Sequence, residues 1–160
     1  MPLSESIRGR LLHQHETIGE LTSGFTEEQL KLRVIEGKWS PFENIVHLTA
    51  YQPTFRSRME LILGGNQPFF ERYVAENDPV FYSYTQKSLS ELFQILAADR
   101  QAINSKLRSL TEEQLRLKAL HSKFGALTML QWSDLFLLHE AHHLWTIVQL
   151  VCILRVSVPG

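Results

Sequence analysis

The sequence predicts an all-α protein built as a four-helix bundle with a long crossover connection. Four long segments carry apolar residues at the three- and four-residue spacing of a buried helix face, and Gly-, Pro- and Asn-rich breaks separate them. Alternating apolar and polar runs are scarce, so we expect no sheet of consequence. At 160 residues and 44% hydrophobic composition, the chain is long enough for a real core, and we interpret residues 1–160 as one helical-bundle domain.

The first two helices are predicted from periodicity and from capping residues. Residues 4–21 carry apolar side chains at helical spacing and form the first helix. The second begins at a capping box, in which Ser40 is the N-cap, Pro41 occupies the first helical position and Glu43 reaches back to the cap. This helix is expected to end near Leu63, before a Gly-Gly-Asn sequence.

The second half of the chain repeats this organisation after an irregular connection. Residues 66–83 are rich in aromatic residues and contain two prolines, which is typical of a long crossover loop. Residues 85–110 have the apolar spacing of a third helix. Thr128, followed three positions later by Gln131, is a second capping box and predicts a fourth helix that runs toward Val156.

One sequence is nearly repeated at an offset of 85 residues. TEEQLKLR at 26–33 returns as TEEQLRLK at 111–118, and each copy precedes a capped helix that carries histidine. Either the first pair of helices is repeated as the second pair, or T-E-E-Q-L is a common helix start that occurs twice by chance. If the repeat is real, the second and fourth helices are equivalent partners in the core.

Composition and charge exclude several classes of function. With 16 basic and 17 acidic side chains, the chain has no basic excess for nucleic acid or an anionic membrane surface. One cysteine, Cys152, excludes an internal disulfide and a cysteine-rich zinc module and fits a reducing compartment. The N-terminal residues lack the apolar run of a signal peptide, and polar residues interrupt the apolar stretch 129–156. We expect a soluble cytoplasmic protein.

Three histidines are predicted to point the same way from equivalent helix starts. At about 100° per residue, His47 lies at roughly −20° from the Ser40 cap. His139 and His143 lie at roughly +20° and +60° from the Thr128 cap. A sector of roughly 80° therefore holds all three side chains, and the facing helices of a bundle can supply metal ligands in this way.

This pattern predicts a site for one divalent transition metal, although hydrogen-bonded core histidines are the alternative interpretation. His139 and His143 have the i, i+4 spacing at which two imidazoles share an ion, and His47 is the third ligand in phase. Neutral imidazoles favour zinc or nickel, and three of them leave a coordination position open for water or substrate. We expect protonation near pH ~6.5 to weaken binding.

The sequence HEAHH also matches the H-E-x-x-H signature of zinc peptidases, with Glu140 as the base. Such peptidases take a third ligand downstream, whereas none of the 17 residues after His143 is His, Asp or Glu. Because Glu140 is turned about 100° from His139, we expect it to face solvent or form an inter-helix salt bridge.

Four further residues lie near the predicted site, and three of them have two interpretations. His142 is the fallback ligand if the helix is rotated. Glu43 either accepts an N–H from a ligand imidazole or caps its helix. The Tyr51 hydroxyl either lies near the ion or is buried by packing, which we favour. Trp39 is expected to be a packing residue rather than a binding platform.

The chain resembles the DinB/YfiT-like family of metal-dependent proteins over nearly its whole length. The motifs that carry the resemblance are GKWSPFENIVHL at 37–48, HSKFGALTMLQW at 121–132 and HEAHHLWTI at 139–147. The resemblance implies a DinB-like four-helix bundle that binds zinc, nickel or a similar divalent ion. The ligands in that family are one histidine in helix two and an H-x-x-x-H in helix four, which here are His47, His139 and His143.

Two classes of function follow from the residues and the resemblance. The first is an enzyme in which the metal activates water or a thiol, with hydrolase-type or thiol-transferase-type chemistry on a small molecule. The second is a non-catalytic metal-binding or structural, stress-linked bundle protein. The sequence shows no unambiguous general base, so it identifies no catalytic residue.

The end of the fourth helix predicts a homodimer. Its residues are apolar on nearly every side of the helix, and the core of one bundle cannot easily cover all of them. The resemblance also favours dimers. These residues are Ile147, Val148, Leu150, Val151, Ile153, Leu154 and Val156. The alternative is that the first helix and the 66–83 connection cover this surface within one chain.

Overall fold

The structure, a computed structural model, describes residues 3–157 and confirms the four-helix bundle. Four long helical stretches run through it, and three short helices connect them. The helices are α1 (Glu5–His13), α2 (Thr17–Thr22), α3 (Glu27–Leu30), α4 (Pro41–Leu63), α5 (Pro79–Tyr84), α6 (Leu89–Ser109), α7 (Glu112–Arg116) and α8 (Met129–Ser157). α4 lies at the centre, where it packs against both α6 and α8.

The first stretch is interrupted, whereas the sequence predicted one continuous helix. α1 and α2 are separated by a turn of 3₁₀ helix, Gln14–Glu16. The tighter turn directs the Gln14 side chain into the bundle, where its Nε2 donates to the carbonyl of Leu137 at 2.8 Å and to Glu140 Oε1 at 2.9 Å. Apolar periodicity does not report such a polar contact between helices.

The predicted caps of α4 and α8 are confirmed. Ser40 and Glu43 form the capping box of α4, which ends at Leu63. Thr128 Oγ1 accepts from the Gln131 amide at 3.2 Å, and Gln131 Oε1 accepts from the Thr128 amide at 2.9 Å. These two caps fix the rotational phase of both helices.

The third long helix starts later than the sequence predicted. A capping box of Ser88 with Glu91 begins α6 at Leu89. Thr85, where we expected the helix to begin, is instead the C-cap of α5. The crossover is therefore partly helical, since α5 and a 3₁₀ turn (Ala75–Asn77) lie within residues 66–84.

A small three-stranded sheet, which the sequence did not predict, lies at one end of the all-α bundle. Its strands are β1 (Phe69–Phe70), β2 (Lys118–His121) and β3 (Gly125–Thr128). β1 pairs parallel with β2, and β2 pairs antiparallel with β3. The sheet ties the crossover to the chain that enters α8, and no strand exceeds four residues, which is too short for alternation to be recognised.

The two copies of the TEEQL sequence have the same local structure. They form α3 and α7, each with a capping box in which the threonine pairs with the glutamine three residues later. The β2–β3 hairpin separates α7 from α8 and has no counterpart before α4. The shared sequence therefore encodes the same capped turn in two different surroundings.

By length and composition alone, α8 is the one helix within residues 3–157 that could cross a membrane. In the fold it packs against α1, α2, α4 and α7. Several of its apolar residues lie in the core, namely Met129, Trp132, Phe136, Leu137, Leu144, Ile147, Leu150, Val151 and Leu154. α8 therefore contributes one face to the core of the bundle.

Candidate metal centre

The packing of α4 against α8 brings together the three histidines selected from the sequence. One ring nitrogen each from His47, His139 and His143 lies within 4.8 Å of the others. The Nε2 atoms of His47 and His139 are 2.9 Å apart, and the ring centroids of His47 and His143 are 4.3 Å apart. The phase counted from the two helix caps therefore predicted the correct placement.

Aromatic side chains on α4 and just before it hold the imidazoles in place. The ring centroid of half-buried Trp39 lies 5.1 Å from that of His47, and its plane is stacked with His143 at 6.3 Å. The ring centroids of Tyr51 and His139 are 4.8 Å apart. Both aromatic residues pack as expected, and they also form walls of the site.

Asn44 orients His143 and was not singled out in the sequence. Its amide nitrogen donates to the carbonyl of Ser40 at 2.9 Å, which leaves the amide oxygen as the acceptor. His143 Nδ1 donates to that oxygen at 2.8 Å. The Nε2 lone pair of His143 is therefore free to bind a metal, the arrangement by which partners of ligand histidines fix the tautomer. The position of Asn44, three residues before His47 on α4, was the available signal.

Burial keeps the three imidazoles neutral. It lowers the pKa of His47 to about 3, that of His139 to about 4 and that of His143 to about 2. Neutral imidazoles bind metals without first losing a proton. In the folded chain, protons therefore compete with a metal well below the pH of ~6.5 expected from the sequence, because that value belongs to a solvated histidine.

The donor set fits a transition metal rather than magnesium or calcium. It comprises three neutral ring nitrogens, and no carboxylate joins the cluster among residues 3–157. The Nδ1 atoms of His47 and His139 are buried and have no hydrogen-bond partner in that part of the chain. The Nε2 atoms of the two rings face each other at 2.9 Å, so that one donates to the other, and a shared cation would take the place of that proton.

Glu140 does not take the place of a peptidase base. Its carboxylate is 1% exposed and forms a salt bridge with the equally buried Arg100 of α6. The expected inter-helix salt bridge is confirmed, but it lies in the core rather than at the surface. The H-E-x-x-H match therefore reflects two histidines of the three-histidine cluster and a structural acid on different faces of one helix.

The remaining candidates are also placed by the structure. Glu43 caps α4 and accepts from Arg33 Nε at 2.9 Å, so capping is its role. His142 is exposed and lies outside the cluster of ligand atoms. The Tyr51 hydroxyl is buried and accepts from Arg58 Nη1 at 3.3 Å, which favours packing over a place near the ion.

The three histidines line an open cleft of about 830 Å³, to which the crossover and the β2–β3 hairpin contribute the other walls. Tyr73 from the crossover lies over His47 with ring centroids 5.5 Å apart. A small molecule can therefore reach the imidazoles from solvent while aromatic rings cover much of its surface. A structural metal site is, in contrast, closed to small molecules.

Comparisons with known proteins agree with the fold. The family model described as the DinB superfamily matches residues 10–147. A solved structure of YfiT from Bacillus subtilis is 18% identical, with a TM-score of 0.78 over 97% of this chain and 88% of that chain. YfiT is described as a probable metal-dependent hydrolase with an unusual four-helix bundle topology. No curated protein matches the sequence.

Proposed function

This chain belongs to the DinB superfamily, and from that premise we propose that it is a metal-dependent enzyme acting on a small molecule. The observation that carries the proposal is the group of one buried and two half-buried histidines, all with a lowered pKa, whose ligand atoms converge at the wall of an open cleft. His47, His139 and His143 would hold the ion, and zinc or nickel suits their donor set best.

A bound divalent ion would lower the pKa of water or of a thiol, which is the chemistry such a site supplies. The chain's own residues do the rest. Asn44 holds the His143 ring in one tautomer, while Trp39, Tyr51 and Tyr73 pack against the imidazoles and line the cleft. The description of YfiT supports hydrolase-type chemistry over thiol transfer.

The test is turnover by the metal-loaded full-length chain. Zinc-loaded and nickel-loaded protein is assayed with activated esters and amides, and separately with a thiol and an electrophilic acceptor. We expect ester hydrolysis that disappears with chelation, is lost in His143→Ala and persists in His142→Ala. Tight metal binding without turnover on either panel would instead support the non-catalytic metal-binding alternative.

We further propose that the protein is a cytoplasmic homodimer, with neither nucleic acid nor membrane as a partner. Of the apolar residues that suggested a dimer, Ile147, Leu150, Val151 and Leu154 are buried within the chain's own bundle. Support now comes from another stripe on α8, because Leu138, which also lines the cleft, and Trp145, seven residues further on, are each 60% exposed.

Light scattering at micromolar concentration is expected to give the mass of two chains for the wild type and of one chain for Trp145→Asp, because a charge in the stripe opposes pairing. Leu61→Asp is the control, since Leu61 is 53% exposed on α4, outside the stripe. A monomeric wild type, or equal dissociation of the two variants, contradicts the proposal.

A further inference from the structure

A second polar group faces the cleft at a distance from the histidines. Arg58 lies on α4, eleven residues after His47, and is 9% exposed. Its Nη1 donates to the Tyr51 hydroxyl at 3.3 Å and its Nη2 donates to the carbonyl of Glu71 at 2.8 Å. Both acceptors are neutral, so the guanidinium charge is hydrogen-bonded but not compensated.

The other buried arginine shows what compensation looks like in this fold. Arg100 is 1% exposed, and Glu140 pairs with it while Gln52 accepts from its Nε at 3.4 Å. Within residues 3–157 no carboxylate pairs with Arg58. Because a buried cation is costly unless an anion accompanies it, an unpaired arginine at a cleft wall is suited to receive the anion from a ligand.

Aromatic rings hold the Arg58 guanidinium in place. Its Cζ lies 5.2 Å from the ring centroid of Phe70 and 5.6 Å from that of Trp132. Phe70 belongs to β1 and Trp132 to α8, so the sheet and the bundle together fix the arginine. A side chain fixed before binding loses little entropy when a ligand arrives.

The charge of this end of the cleft is positive. Arg72 and Lys123 also line it, and neither is ion-paired in the part of the chain that the structure describes. Glu76 is the one carboxylate among the described lining residues. The charge of Arg58 also reaches the neighbouring imidazoles, where it adds to burial in lowering the pKa of His121 and of His139.

We propose that Arg58, assisted by Arg72 and Lys123, binds an anionic group of the substrate, a carboxylate or a phosphate. Tyr51 lies between this subsite and the histidines, since its ring centroid is 5.9 Å from Arg58 Cζ and 4.8 Å from the His139 centroid. The anionic group of a small organic molecule can therefore bind Arg58 while another part of the same molecule lies beside the three histidines. The role of that second part depends on the proposed function, whereas anion binding does not.

The subsite is tested with ligands that differ in charge but little in shape. Benzoate and benzamide are titrated by calorimetry into zinc-loaded full-length protein and again after chelation, so that binding to the ion is separated from binding to Arg58. We expect benzoate to bind at least about tenfold more tightly than benzamide in both forms, the usual gain from a charge-assisted hydrogen bond. Phenyl phosphate, tested alongside, shows whether carboxylate or phosphate is preferred.

Variants assign the effect to one side chain. Arg58→Met should reduce benzoate binding to the benzamide level, whereas Arg56→Met should not change it. Arg56 is a matched control, because it lies on the same helix but pairs with Asp99 at 2.6 Å outside the cleft. Should Arg58→Met fail to fold, NMR of the arginine side chains in the wild type replaces it. The Arg58 resonances, assigned with Arg58→Lys, should shift with benzoate and not with benzamide.

The outcomes separate this proposal from the metal site. Benzoate binding that needs Arg58 in a chain that retains no divalent ion supports the subsite and contradicts the metal-dependent function. Retained metal with equal affinity for benzoate and benzamide overturns the subsite alone. Equal losses of benzoate affinity in Arg56→Met and Arg58→Met also overturn it, because the effect would then come from the net charge of the protein rather than from one side chain.

Discussion

Replacing His143 with alanine is expected to remove nearly all bound zinc, whereas replacing His142 with alanine leaves the metal content unchanged. Loss of a partner of a ligand histidine typically costs 10- to 100-fold in metal affinity, so loss of the ligand itself should cost more than about a hundredfold. Asn44→Ala should lower the zinc affinity by about 10- to 100-fold, because Asn44 accepts from His143 Nδ1 at 2.8 Å. Zinc retained after dialysis and competition with a chromophoric chelator measure these effects.

The pair of adjacent histidines makes the experiment specific. Both lie on α8, but His142 is exposed and absent from the converging ligand atoms. The bundle should remain folded in both variants, because its core is apolar and circular dichroism can verify this. Equal metal loss in the two variants, or no retained metal in the wild type, would show that the triad is misassigned.

The pH dependence of the zinc affinity also has an expected direction. Burial lowers the pKa of His47 to about 3 and that of His139 to about 4. Protons then compete with zinc in the folded chain only as the pH approaches those values. Affinity should therefore change little between pH ~7 and ~6, whereas exposed ligand histidines would lose zinc as they titrate near ~6.5. A tenfold loss in that interval would show that the imidazoles are solvated.

The convergence of the three histidines could be predicted from the sequence because local signals fix the phase of their helices. Ser40 and Thr128 are caps that the structure confirms, and a helix with a known start has a known direction at every later residue. Asn44 and Arg58 could not be selected in this way. Asn44 matters because its amide is turned by the Ser40 carbonyl, and Arg58 because the sheet and Trp132 enclose it.

The features of the fold that the sequence did not predict also depend on contacts between distant segments. At the break between α1 and α2, Gln14 donates to the carbonyl of Leu137 on α8, more than a hundred residues away. β1 has only two residues, and the rest of the crossover, α6 and α7 separate it in sequence from its partner β2. Contacts so distant in sequence leave no periodicity in either segment, whereas caps and amphipathic helices are encoded locally.

Glu140→Ala is expected to lower the free energy of unfolding by about 3–5 kcal/mol, because it leaves the buried Arg100 guanidinium without its carboxylate. Arg100 and Glu140 are each 1% exposed, and Gln14 adds a hydrogen bond to the same carboxylate at 2.9 Å. Urea denaturation measures the change. Glu5→Ala is the control, because the Glu5–Arg8 pair is exposed and should leave the midpoint unchanged.

The double variant Arg100→Met with Glu140→Leu should recover most of that loss, because apolar residues of similar volume often replace a buried ion pair without cost. It should also keep its zinc, since neither residue contributes a ligand atom to the three-histidine cluster. If Glu140 were instead the base that H-E-x-x-H suggests, Glu140→Gln would abolish turnover while its stability stayed close to the wild type. A stable but inactive Glu140→Gln would therefore contradict the structural role assigned to this acid.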